Sequence, residues 1–144
     1  MPRLTIVRGL PGSGKSTYAK SLGIHHVEAD MFWMRDGVYE FPRDDDPDKL
    51  DKITLAHRWS YNQVRQAMWY GMDVVVSNTF TTVDQFASYL ELAHILGYDA
   101  VVITRKNNFG SIHAVPVDVV DAMRNRWEEY PGETILITQN RRTR

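Results

Sequence analysis

The chain has 144 residues, of which 43% are apolar, 24% charged and 11% aromatic, the profile of an ordinary globular domain. At this length folding buries roughly 70% of the unfolded chain's surface, so one core holds without disulfide or metal staples. The lack of cysteine excludes a disulfide framework, a thiolate metal site and a cysteine nucleophile, and fits a reducing cytoplasm. Seventeen Lys and Arg against eighteen Asp and Glu leave a net charge of −1, without the basic excess of a strong nonspecific nucleic-acid binder. From Arg105 onward basic side chains outnumber acidic ones, so any anion-binding patch is local. No apolar run reaches the roughly 18 residues that span a membrane, and MPRLTIVRGL lacks the apolar segment of a signal peptide. A soluble, unprocessed, cytoplasmic protein is expected.

Leu4 to Arg8 (LTIVR) is a short β-branched run ended by Gly9, the pattern of a buried strand entering a glycine-rich turn. A helix follows from Lys15 to Leu22, closed by Gly23. His25 to Ala29 (HHVEA) alternates weakly and reads as a second strand ending at Asp30, with His25 and His26 as strand-edge residues. Arg35 to Asp48 (RDGVYEFPRDDDPD) is rich in turn formers and charge and reads as a surface insertion. Its acidic run, Asp44 to Asp46 and Asp48, lacks the spacing and distal Glu of an EF-hand and is expected to be solvated. From Asp48 to Tyr70 the residues Leu50, Ile53, Ala56, Ser60, Val64, Ala67 and Met68 fall mostly three and four apart, giving a long helix with one buried face, ended by Gly71. His57 and Trp59 lie on it beside Tyr61, Trp69 and Tyr70, an aromatic group read as core packing ahead of a base-stacking platform.

Asp73 to Ser77 (DVVVS) is a third strand whose valines point to burial on both faces, as in a parallel sheet. Thr82 then heads a helix with Val83, Phe86, Leu90 and Ala93 along one side, and Gln85 completes a Thr-x-x-Gln capping pattern. Ala100 to Thr104 (AVVIT) is a fourth strand, followed by a polar, lid-like loop from Arg105 to Ala114. Pro116 and Asp118 announce a helix with Val120, Met123, Trp127 and Tyr130 as its apolar stripe. Thr134 to Thr138 (TILIT) is a fifth strand, and 139–144 form a basic tail. Strands alternating with helices imply an α/β fold, a parallel sheet with helices on both faces, as a single domain over 1–144.

The strongest motif is GLPGSGKST, Gly9 to Thr17, which satisfies G-x-x-x-x-G-K-[ST] between a predicted strand and a predicted helix. At typical residue frequencies a random chain of this length carries it roughly once in a few hundred cases. Gly9, Gly12 and Gly14 let the backbone approach phosphate oxygens closely, and the helix N-terminus adds free N–H groups and a positive dipole end. The expected cradle runs through Gly12, Ser13, Gly14, Lys15, Ser16 and Thr17. Lys15 is expected to reach the β- and γ-phosphates of a bound nucleotide, and Ser16 can hold Mg²⁺ through its hydroxyl.

Asp30 sits where the second strand ends, on the sheet edge where open α/β sheets place ligands. A carboxylate there can orient a hydroxyl toward the γ-phosphate and take its proton, while its structural alternative is a helix N-cap or a solvated turn residue. The third strand ends VVVSNT without an acid, which argues against a motor ATPase with the usual Walker-B carboxylate. Ser77, Asn78 and Thr79 can instead bond an acceptor or metal waters, or form a plain polar turn.

TIVRGLPGSGKSTYAK (Thr5–Lys20), EAD (Glu28–Asp30), AHRW (Ala56–Trp59), VVVSNTFTT (Val74–Thr82) and IHAVPVDVVDAMRNRWEEY (Ile112–Tyr130) together resemble the P-loop kinases of the phage-type polynucleotide kinase group, which includes many small phage and bacterial proteins. The resemblance covers most of the chain. It implies a P-loop NTPase fold with a five-stranded parallel sheet in the order 2-3-1-4-5. It also implies ATP with Mg²⁺ on Lys15 and Ser16, Asp30 as general base, and Asn78 and Thr79 as an acceptor-side pair. The chain departs from that group in having Met31, Phe32 and Trp33 after the Asp where an Arg is usual, Asn78 where Asp is usual, and a short lid. Arg105, Lys106, Arg124 or Arg126 must then stabilise the transferring phosphoryl group, and Arg126 fits the group's Met-x-x-Arg-aromatic-Glu pattern best. His113 is a further lid candidate.

The resemblance favours a nucleic-acid acceptor, DNA ahead of RNA, phosphorylated at a 5′-hydroxyl end or at the hydroxymethyl group of a modified DNA base. Phe32 and Trp33, beside Asp30, would stack such a base. Two other readings stand beside it: a small-molecule kinase acting on a nucleoside, sugar or antibiotic, and a nucleotide-binding interaction module with no acceptor.

Overall fold

The structure is a computed structural model that describes residues 1–108 and 115–137. The expected lid-like loop runs out of the described residues beyond Asn108, and His113, Thr138 and the tail 139–144 lie outside them as well.

β1 (Arg3–Arg8) is the centre of a parallel sheet. It pairs with β5 (Val74–Asn78) on one side and β6 (Asp99–Arg105) on the other, while β2 (His25–Val27) flanks β5 and β7 (Thr134–Leu136) flanks β6. The five-stranded order β2-β5-β1-β6-β7 is the expected 2-3-1-4-5 topology. The chain moves to opposite sides of β1 in its two halves, so the crevice at the carboxyl end of β1 is the topological switch point where ligands bind. All five residues of β5 are buried, as the valine run requires. Leu4, Ile6, Val74 and Val76 face α2 (Lys49–Trp69) and α3 (Asp84–Leu96), packing on Val64, Met68, Phe86 and Tyr89. Val7 and Val75 face the other way, toward Ala19 of α1 (Lys15–Ser21). This period-two alternation gives both faces of the sheet a helical cover.

Four expectations are corrected. β2 stops at Val27, and residues Ala29–Trp33 form a 3₁₀ turn, because the Asn78 side-chain carbonyl accepts the Ala29 N–H at 2.8 Å and draws it out of the ladder. The surface insertion contains a hairpin, β3 (Met34–Arg35) and β4 (Val38–Tyr39), around Asp36 (φ 52°) and Gly37 (φ 81°), the two positive φ values of a type I′ turn. Glu40 N–H extends it by donating to the Trp33 carbonyl at 2.8 Å. At α3 the Thr82 cap does not form: Gln85 Oε1 accepts the Thr81 N–H at 2.9 Å, and the Val83 N–H is taken by the Glu128 carboxylate at 2.8 Å. α4 (Val117–Asn125) ends before Trp127 and Tyr130 and buries none of its residues, so the expected stripe is split between a helix and the chain after it. On α2, Trp59 and Tyr61 pack against the core, whereas Trp69 and Tyr70 are exposed. Asp44 and Asp46 pair with Lys49 and Lys52 at the start of α2. Among the described residues no helix is long and apolar enough to cross a membrane.

Arg8, the last residue of β1, is completely buried beside Glu133, whose side chain is 6% exposed. Its guanidinium donates to Glu133 Oε1 at 3.1 Å and to the carbonyls of Phe80, Thr81 and Glu128 at 3.0, 3.3 and 2.7 Å, and lies 4.0 Å from the Trp127 ring centroid. Four of the five N–H donors of the fork are thereby used. Burial pushes the Glu133 carboxyl up, but hydrogen bonds from Thr104 and the Tyr130 N–H, with the Arg8 charge, outweigh it and hold the carboxyl below its ordinary value near 4.5. Replacing Glu133 by Gln leaves a buried charge uncompensated and is expected to cost about 3–5 kcal/mol at pH 7. Because the folded carboxyl titrates below the unfolded one, its contribution is complete above about pH 4.5 and is lost as pH falls through the folded value. Urea unfolding of both chains from pH 7 to pH 3 is expected to show the gap narrowing in acid.

Candidate active site

The loop between β1 and α1 is shaped by three glycines for two different reasons. Gly12 (φ 83°) and Gly14 (φ 86°) adopt left-handed backbone, the conformation from which anion-binding turns are built. Gly9 is needed for space: a Cβ there would press into the Ser13 side chain and stand 2.9 Å from the Arg105 carbonyl oxygen. The Gly9 N–H donates to the Thr79 carbonyl at 3.3 Å, and the Ser13 N–H to the Leu10 carbonyl at 3.0 Å, so the loop is tied to β5 and to itself. Ser13 is buried with its hydroxyl turned in against Gly9, and it shapes the loop from inside. Thr17 is exposed on the first turn of α1.

Lys15 opens α1 half-buried. Burial pushes its ammonium below the ordinary lysine value, a shift that the charges of Glu28 and Asp30 oppose without cancelling. Ser16 Oγ donates to Glu28 Oε2 at 2.7 Å, and Ser77 Oγ reaches the same oxygen at 3.5 Å. His26 meets Ser77 Oγ at 2.8 Å, and burial lowers the ring's pKa, so it is neutral at pH 7. The carboxylate missing from the end of β5 is thus supplied from β2, by a residue the sequence reading did not single out. Its available signal was the pair Glu28 and Asp30, two residues apart at a strand's carboxyl end.

Asp30 projects from the 3₁₀ turn, exposed, with Oδ1 accepting from Tyr39 Oη at 3.2 Å. Its charge acts on Lys15, Tyr39 and His57. Tyr39, another residue not singled out beforehand, arrives on the β3–β4 hairpin, and the Asp-Gly pair at 36–37 was the signal that would have found it. Asn78 is 6% exposed, and with Oδ1 held by Ala29 its Nδ2 is a buried donor with no hydrogen-bond partner among the described residues. Thr79 is half-buried, its carbonyl committed to Gly9. Trp33 is buried with Ala29 and Ala56, whereas Phe32 is half-buried between Trp33 and Trp59, and Phe41 remains 42% exposed.

The structure brings Lys15, Ser16, Glu28, Asp30 and Asn78 to one edge of the sheet. Arg126 stands elsewhere: its Nε donates to Thr81 Oγ1 at 3.1 Å. A cleft of about 510 Å³ between the loop and α4 is lined by Leu10 and Pro11 and by the cations Arg105, Lys106 and Arg124. Arg105 also lies 5.0 Å over the Tyr18 ring.

A magnesium nucleotide fits these residues. The glycine-shaped concavity suits phosphate, and Ser16 with Glu28 offers the one or two oxygen ligands that magnesium takes when phosphates and water supply the rest. Among the described residues no group of three or more His, Asp or Glu forms a self-sufficient metal cage. Gly9→Ala is expected to weaken nucleotide binding by at least about tenfold, or ~1.4 kcal/mol, measured calorimetrically, because the loop must shift off the Arg105 carbonyl. Nucleotide affinity is also expected to fall at a pH below the ordinary lysine value of 10.5, as Lys15 loses its proton. Glu28→Gln, which removes a supporting charge, is expected to move that fall to lower pH, as dissociation constants measured across pH will read.

Comparison with known proteins places this geometry. The profile of an AAA domain family matches residues 4–108. The fold is similar to that of a protein assigned as a kinase in Chloroflexus aurantiacus, with a TM-score of 0.66 and 18% identity over 95% of this chain and 84% of that one. It is similar to the APS kinase of Mycobacterium tuberculosis solved with AMPPNP and APS, with a TM-score of 0.59 and 14% identity over 97% and 90% of the two chains. A chain of the Pnkp1/Rnl/Hen1 RNA repair complex matches at a TM-score of 0.52 and 17% identity, covering 91% of this chain and 40% of that one. With its residues 4–108 matched by that profile, the chain belongs to the AAA domain family and carries it on the fold of the P-loop kinases.

Proposed function

We propose that this chain is a kinase that passes the γ-phosphoryl group of ATP to a hydroxyl of nucleic acid, either a 5′-hydroxyl end or the hydroxymethyl group of a modified DNA base. The observation that carries the reading is Asp30, an exposed carboxylate on the turn after β2 that already accepts a hydroxyl hydrogen bond and whose charge reaches Lys15. A nucleotide-binding module without an acceptor has no need of a base in that place.

Lys15 binds the β- and γ-phosphates, drawn out of water and kept cationic by Glu28 and Asp30. Ser16 and Glu28 would hold magnesium, which neutralises charge on the phosphate oxygens when bound. Asp30 orients the incoming hydroxyl and takes its proton. Asn78 keeps Asp30 in place through Ala29 and has a donor left for an acceptor or phosphoryl oxygen. Thr79 fixes the loop from the acceptor side. Phe32 and Phe41 offer ring surface to a base beside Asp30, where stacking contributes roughly 1–3 kcal/mol per base. Arg105 or Arg124, already in the cleft, is better placed than Arg126 to meet the transferring group. The likeness to an RNA repair complex agrees with a nucleic-acid acceptor, and the likeness to APS kinase supports a small-molecule acceptor as the second reading.

The test is transfer from γ-labelled ATP with Mg²⁺ to single- and double-stranded DNA and RNA with 5′-hydroxyl ends, hydroxymethyl-base DNA, and nucleosides. Label is expected in a polymer, and Asp30→Asn and Lys15→Ala are each expected to reduce it by at least about 10²-fold. Label in nucleosides alone would establish the small-molecule reading instead.

A further inference from the structure

The carboxylate assigned as the base carries a hydroxyl of the chain's own. Tyr39 Oη donates to Asp30 Oδ1 at 3.2 Å, inside the range over which a general base takes a proton. Lys15, which binds the phosphates, is within electrostatic reach of the same carboxylate. Tyr39 is held there by structure rather than by chance rotation. The type I′ hairpin fixes its backbone, the Glu40 N–H bond to Trp33 extends the ladder, and its ring lies 6.4 Å from that of Phe41 at an interplanar angle of 5°. Other tyrosines show the contrast: Tyr89 bonds Ser60, and Tyr98 bonds the carbonyls of Met68 and Met72.

We propose that Tyr39 is a phosphoryl acceptor of this site, so that the chain phosphorylates its own Tyr39 when no external acceptor is bound. The inference rests on the kinase reading of Asp30 and Lys15. Tyr39 Oη attacks the γ-phosphorus of a bound nucleoside triphosphate and forms an O–P bond, while the bond from that phosphorus to the β,γ-bridging oxygen breaks. Asp30 takes the phenol proton, and the nucleoside diphosphate leaves. Burial and the charges of Asp30 and Glu28 keep the phenol protonated at rest, so transfer requires the base. The product places about −1.5 to −2 charge beside Asp30 and Glu28, which repels further phosphate and makes the modification self-limiting.

The full chain is incubated with γ-labelled ATP and Mg²⁺ without acceptor, and its peptides are read by mass spectrometry, with the acceptor panel run in parallel. Phosphate is expected on Tyr39 and not on Tyr89 or Tyr98, at a first-order rate independent of protein concentration. It is expected to be absent from Tyr39→Phe and Lys15→Ala, and nucleotide binding by Tyr39→Phe separates loss of the acceptor from unfolding. In a mixture of the unsubstituted chain with Lys15→Ala, the Lys15→Ala chain is expected to stay unlabelled, and label on it overturns transfer within one chain. Label on external acceptors with none on Tyr39 overturns this inference and leaves the kinase reading standing. Label on Tyr39 with none on any acceptor supports the inference and overturns the nucleic-acid reading, and bound ATP with no label anywhere overturns both.

Discussion

A buried guanidinium stands where the central strand becomes the phosphate loop, and much of the architecture follows from saturating it. Arg8 cannot lose its charge and cannot reach water, so its donors must find acceptors within the protein. Those acceptors come from the β5–α3 connection, the chain leaving α4, and Glu133 just before β7. Segments more than a hundred residues apart are thereby fixed at the level of Gly9. The same constraint explains how α4 stays attached although it buries none of its residues: its carboxyl end is tied through Trp127 and Glu128 to Arg8 and through Arg126 to Thr81.

On that frame the sheet's carboxyl edge divides the chemistry among strands. β1 leads into the glycine-shaped loop, the chain leaving β2 presents Glu28 and Asp30, and β5 ends in Asn78. With an amide in place of an acid at the end of β5, the side chain can both accept the Ala29 N–H and leave a donor, which a carboxylate cannot do. The acid moves to β2, where Glu28 receives the Ser16 hydroxyl. The backbone turn that Asn78 induces in turn aims Asp30 outward, so one amide links the geometry of two carboxylates.

The insertion before α2 builds the surroundings of Asp30. Its Asp-Gly turn satisfies the twist of a two-residue hairpin, and the hairpin carries Tyr39 and Phe41 over the 3₁₀ turn that bears Asp30 and Trp33. Trp33 is consumed by this packing, which leaves Phe32 and Phe41 as the less buried ring surface of this cluster.

Read alone, the sequence carries the five-stranded parallel sheet, the main helices that alternate with its strands, and the glycine-rich loop that leads to Lys15 and Ser16. Those features are local: valine runs, helical periodicity and glycine spacing act over a few residues and leave a direct pattern. It put Asp30 at the end of the second strand, whereas that strand stops at Val27 and Asp30 lies on the 3₁₀ turn that follows. Tertiary structure alone decided that Arg8 is a buried anchor rather than a strand-end charge, that Glu28 meets Ser16, and that Tyr39 meets Asp30. It decided as well that Arg126 binds Thr81, and that the cap of α3 comes from Glu128 rather than Thr82. Each of these joins residues far apart in the chain, and side-chain partners across such distances are chosen by the packing of whole elements, to which no local pattern of residues is sensitive.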